Sequence, residues 1–139
     1  MTTYPRSAYD KVGGIVYFAR MLDKLRLKKA EQLRTEYHKN LGVGFDGRCC
    51  RFLGVTYADV QQRVQQGGTD DEILQWCFVH GRKPNDEEIL IWNAFMTKRG
   101  WQDDNSEELD RYKTESGFAG RSEIQTLFDY YEFDEGRAK

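Results

Sequence analysis

Apolar positions in the stretch GGIVYFARMLDKLRLK recur at three- and four-residue spacing. At ~100° per residue, Val12, Ile15, Val16, Phe18, Ala19, Met21, Leu22 and Leu25 cover most of a helical circumference, which predicts a central apolar helix over about 12–27. Only a narrow sector, holding Tyr17, Arg20, Lys24 and Lys28, reads as polar. Two charges break the apolar part: Asp23 projects between Val12 and Val16, and Arg26 between Ile15 and Ala19. A lone buried charge is costly, so both need partners. Three residues apart, they can reach one another. The reading adopted is an ion pair tying this helix to its neighbours; the alternative is the polar floor of a pocket.

Further along, Ala30, Leu33, Tyr37 and Leu41 form a narrow second stripe, so the helical pattern is expected to continue through KKAEQLRTEYHKN. The glycines of NLGVGFDGR end it. Asp46 is placed as the cap of a short helix stopped by Gly54, and Thr56 as the cap of the next. Thr69 to Glu72 has the Thr-x-x-Glu form of a capping box, ahead of Ile73, Leu74, Trp76, Cys77 and Phe78. Asn85, Ser106 and Ser122 are the expected caps of three more helices. The helix after Asn85 carries acids in its first turn and Lys98 and Arg99 at its end, the favourable charge order. No segment shows sustained period-two alternation between hairpin turns. The pattern predicts an all-α fold, a single compact domain over 1–139 of six to seven helices around the central apolar helix. Residues 1–10 are expected to form an extended arm and 136–139 a loose end.

Composition agrees. A chain of 139 residues is one domain's worth and buries enough surface to need no disulfide or metal. Two prolines, Pro5 and Pro84, leave room for long helices. No apolar run can span a bilayer and the N-terminal stretch lacks an apolar signal core, so no membrane partner is expected. Cys49, Cys50 and Cys77, an odd count with an adjacent pair, make a poor disulfide framework and suit a reducing cytoplasm. Net charge is −2, unevenly divided. Residues 1–63 carry 12 Lys/Arg against 6 Asp/Glu, and residues 64–139 carry 9 against 17. That polarity suits mating with a protein partner or a second copy better than nucleic acid, because the whole is not basic.

Candidate chemistry is sparse. His38 and His80 are far apart, and Cys49-Cys50 lacks zinc spacing, so neither metal nor cofactor is expected. No G-x-S-x-G elbow occurs, and GVGFDGR lacks the strand and lysine of a phosphate loop. The best cluster on offer is Asp23 and Arg26 with Tyr37, and His38 at its rim. Here the tyrosine hydroxyl either satisfies a buried ion pair or lines a binding site.

The segments SAYDKVGGIVYFARMLDKLRLK, EYHKN, FDGRCCRFLGV and LFDYYEFDEGR resemble an uncharacterised bacterial family, domain of unknown function 5069, from about Pro5 to Arg137. The resemblance implies a small helical domain and no assigned activity. It highlights Arg20, Asp23, Lys24, Tyr37, His38, Asp46, Asp134 and Glu135 without giving them a role. Taken together, the sequence points to a small cytoplasmic helical protein, read as a non-enzymatic binding or protein-interaction module and a candidate homodimer. The alternative is a small-molecule-binding protein or enzyme. Its expected ligand-binding residues are Arg20, Asp23, Lys24, Arg26, Tyr37, His38 and Asp46.

Overall fold

The computed structural model describes residues 3–139. In chain order its elements are β1 (Lys11–Val12), β2 (Ile15–Val16), α1 (Phe18–Lys29), a 3₁₀ turn (Thr35–Asn40), α2 (Phe45–Leu53), α3 (Tyr57–Gln65), α4 (Asp70–His80), α5 (Asp86–Lys98), α6 (Ser106–Glu115) and α7 (Leu127–Asp134). Among the described residues the fold is thus helical except for one two-stranded hairpin. No described helix is long and apolar enough to cross a membrane. The chain divides into two compact units, residues 1–89 and 90–139.

The first unit corrects the sequence reading at its start. Val12 and Ile15 pair across β1 and β2, with Lys11 opposite Val16. The turn between them is Gly13-Gly14, with φ of +56° and +80°. Two consecutive positive-φ residues are what a two-residue hairpin loop matching the strand twist requires, and glycine takes them without steric cost. The expected helix over 12–27 therefore begins six residues later, at Phe18. Tyr17 joins the hairpin to α1 at φ +76°, and its amide donates to the Ala8 carbonyl at 3.0 Å.

Helix α1 ends in Arg26, Lys28 and Lys29, which face the negative end of the helix dipole. Glu31 occupies the left-handed position beyond it, at φ +58°, and Gln32 N–H donates back to the Leu27 carbonyl. This closure stops the helical run expected through Asn40 and leaves only the 3₁₀ turn. Phe18, Met21 and Leu22 of α1 are fully buried with Ile15, Leu53, Val60, Ile73 and Leu74. The central apolar helix is therefore real within this unit, and Leu25 completes its buried face.

Several expected caps hold. Thr56 accepts from the Asp59 amide, and Thr69 and Glu72 form the full capping box of α4. Asn85 and Glu88 make the same reciprocal pair at the start of α5. Gly54 is the left-handed cap of α2. Asp46 is not a cap, for it lies inside the first turn of α2 and its carboxylate turns into the protein.

In the second unit, Met96, Leu109, Ile124, Leu127 and Phe128 are buried. Ser106 begins α6 without capping it: its hydroxyl donates to the Gly100 carbonyl at 2.8 Å. Thr126, not Ser122, caps α7 by accepting from Asp129 N–H. The last residues are tied down: Arg137 pairs with Glu132 and Glu135 at 3.2 and 2.7 Å.

Candidate functional site

The most buried ionic group of the first unit joins α1 to α2. Lys24 Nζ lies 2.8 Å from Asp46 Oδ1, with side-chain exposures of 6% and 0%. The Tyr17 hydroxyl donates to the same oxygen at 2.7 Å and accepts from Lys24 Nζ at 3.0 Å. Asp46 Oδ2 accepts from the Gly42 amide at 3.0 Å. Each carboxylate oxygen is therefore engaged, as a charge removed from water requires.

Local backbone explains the placement. Tyr17, at φ +76°, reaches α2 with both its ring and its hydroxyl. Its ring meets Phe45 edge-on at 5.5 Å. Tyr57 closes the cluster from α3. Its ring would lie 2.9 Å from a Cβ at residue 42, so Gly42 is needed for close approach as well as for its φ of +77°. The Tyr57 hydroxyl is buried without a hydrogen-bond partner, and burial, reinforced by the Asp46 charge, pushes its pKa up.

The remaining sequence candidates lie elsewhere. Asp23 accepts from the Arg6 amide at 2.9 Å, and Arg20 donates to the Arg6 carbonyl at 3.1 Å. Together they strap the N-terminal segment along α1. Arg26 pairs with Asp70 at the start of α4, where Arg6 also reaches the carboxylate at 2.6 Å. Asp23 and Arg26 thus face different neighbours, not each other. Tyr37 meets Arg20, whose guanidinium carbon sits 5.9 Å from the ring centroid. Exposed His38 donates from Nε2 to the Leu33 carbonyl at 3.1 Å. Asp23, Arg26, Tyr37 and His38 therefore form no single cluster. Sequence reasoning set Tyr17 beside Lys24 in one polar sector but left it out of the candidate site, and it missed Tyr57; what joins them is Asp46, 29 residues beyond Tyr17.

On the surface of this unit, Trp76 and Val79 of α4 and Arg63 of α3 border an open groove of about 440 Å³. His80 stacks on Trp76 at 4.4 Å and bonds its carbonyl at 2.9 Å, so the ring is held by its own helix.

The three cysteines are buried free thiols. Burial pushes Cys50 up to about 11 and Cys77 up to about 12, and Cys49 well above its ordinary value. Since the thiolate is the reactive form, all three are inert near neutrality. A thiol reagent at pH 8 is expected to find no fast-reacting cysteine in the native protein and all three after unfolding. The sign for stability follows. The folded state holds these protons more tightly than the unfolded chain, so stability is undiminished below about pH 9 and falls as pH rises through 11 and 12. A melting temperature that stayed flat across that range would contradict it.

A different feature stands on α5. Along this helix Glu87, Leu90, Ile91, Ala94, Phe95 and Lys98 are exposed, whereas Trp92 and Met96 are buried. Leu90 is 69% exposed and Ile91 61%. The helix is thus apolar on both sides, with a second stripe facing outward.

The chain is thus small and mostly helical, and its first unit is built around a buried lysine–aspartate–tyrosine cluster. The chain belongs to the family described as Domain of unknown function (DUF5069), which matches residues 2–137. Among curated proteins, none matches the chain.

Proposed function

We propose that this protein is a non-enzymatic interaction module whose contact surface is the outward stripe of α5. The observation that carries this reading is the exposure of Leu90, Ile91 and Phe95 on consecutive turns of one well-formed helix. Isolated exposed apolar residues need no explanation, but a contiguous row of large ones marks a contact surface. The polar cluster supports the same reading from the other side. Tyr17, Lys24 and Asp46 spend their polar atoms on one another and on the backbone, which suits a structural lock better than a substrate site.

A photo-activated crosslinking residue at position 91 tests this in expressing cells. A discrete adduct of defined mass is expected there, and none from exposed position 61 on α3. If position 91 gives no adduct, the reading fails.

A further inference from the structure

Resting on that reading, we infer that the partner of the α5 stripe is a second copy of the same helix, packed antiparallel about a two-fold axis. The order of residues along the stripe carries the inference. It runs acid, apolar, apolar, apolar, apolar, base: Glu87, Leu90, Ile91, Ala94, Phe95, Lys98. An isologous interface brings residue i of one copy to residue j of the other and j back to i. Centre the axis between Trp92 and Asn93, and three matches arise together. Glu87 meets Lys98 of the other copy, Leu90 meets Phe95, and Ile91 meets Ala94. Each match occurs twice.

Spacing and chemistry agree with this register. The positions 87, 91, 94 and 98 step by four, three and four, the rhythm of a helix–helix seam. Small Ala94 opposite branched Ile91 lets the axes approach closely at the centre, and the larger Leu90 and Phe95 flank them. Among the described residues, neither Glu87 nor Lys98 has an ion-pair or hydrogen-bond partner within its own chain beyond the helix backbone. A parallel arrangement would set Glu87 against Glu87 and Lys98 against Lys98, a like-charge contact that disfavours it. The helix dipoles also run opposed only in the antiparallel pair.

The seam is short. Twelve residues of helix span roughly 17 Å, well short of what an interface of ~800 Å² per partner occupies. Association is therefore concentration-dependent, with Kd in the micromolar to millimolar range.

Sedimentation equilibrium of the full chain over a wide concentration range reads it directly. The wild type is expected to pass from monomer to dimer. Leu90→Asp, at an exposed position that leaves the fold intact, abolishes the dimer. Glu87→Lys or Lys98→Glu alone weakens it about tenfold, since each places two like-charge contacts per dimer. The double variant Glu87→Lys/Lys98→Glu restores it, because the pairing is exchanged whole. Ile91→Cys/Ala94→Cys gives an intermolecular disulfide joining positions 91 and 94. The native thiols do not compete, being buried. A dimer that survives Leu90→Asp, or a double swap that fails to restore, overturns the proposed register. A chain monomeric at every concentration overturns self-pairing. In either case the adduct at position 91 decides the wider reading separately: its mass names another partner, or its absence ends the interaction proposal as well.

Discussion

Replacing Lys24 by Met is expected to cost about 3–5 kcal/mol of folding stability, the range for removing one partner of a buried ion pair. Against a total of ~5–15 kcal/mol for a domain, that is a large share. The reason lies with the partner left behind. Asp46 is wholly inaccessible, and without the ammonium it keeps only the Tyr17 hydroxyl and the Gly42 amide. Removing both charges avoids that penalty, so Lys24→Met/Asp46→Leu is expected to recover most of the loss. The double variant still forfeits the Gly42 and Tyr17 hydrogen bonds, worth ~1 kcal/mol each. Urea unfolding of the two single variants and the double, read as a cycle, isolates the coupling. A single variant within about 1 kcal/mol of wild type would show that the pair is not what holds α1 to α2.

Gly81→Ala is the second large effect. A Cβ at residue 81 would sit 2.0 Å from the Leu53 carbonyl oxygen and 2.9 Å from the Gly54 backbone. Neither is a side chain that can swing aside. Leu53 O is also the acceptor for the Arg82 amide at 2.8 Å, and Phe52 O takes the Arg82 guanidinium at 2.7 Å. The end of α4 is thus clasped to the end of α2 by backbone contacts that a methyl group would force apart. Overpacking of this kind costs ~1–3 kcal/mol where side chains can yield, and more where they cannot. The variant is expected at or beyond the upper figure, with loss of the Arg82 bonds. Gly120→Ala is the control, since a Cβ there meets nothing within 4 Å. Equal melting temperatures for the two variants would refute the clasp.

How far the sequence could be read depended on whether local chemistry or distant packing decided each feature. Caps are local. Thr56, Thr69 and Asn85 bond backbone amides within three residues, and each was legible. The hairpin was not, because strands of two residues show no period and the apolar run across Gly13-Gly14 fits a helix equally well. Glu31 was missed for a similar reason. The left-handed position that ends α1 is usually filled by glycine, and a glutamate there gives no signal.

The charged candidates divide the same way. Asp23 and Arg26 were correctly marked as needing partners, but those partners, Arg6 and Asp70, stand 17 and 44 residues away. Lys24 falls in the polar sector of α1 whichever residue begins the helix. It is nonetheless 5% exposed, because Asp46 of α2 packs against that sector, and a helical period read along one segment carries no sign of it. The outward stripe of α5 was hidden by its neighbours Trp92 and Met96. A helix apolar all round reads as core, and only burial separates its two faces.

The conformation of Tyr17 has a bearing on how this position can vary. Its backbone, at φ +76°, would be relieved by glycine, the residue that takes such angles freely. Its side chain forbids that relief, because the ring is buried and its hydroxyl bonds both Lys24 and Asp46. Phenylalanine would keep the ring and lose the bonds; asparagine would ease the backbone and leave a cavity. Each single substitution mends one fault by opening another. Position 17 is therefore caught between two opposed demands, and a substitution there becomes tolerable only together with changes at 24 and 46, so the three residues should vary as one unit.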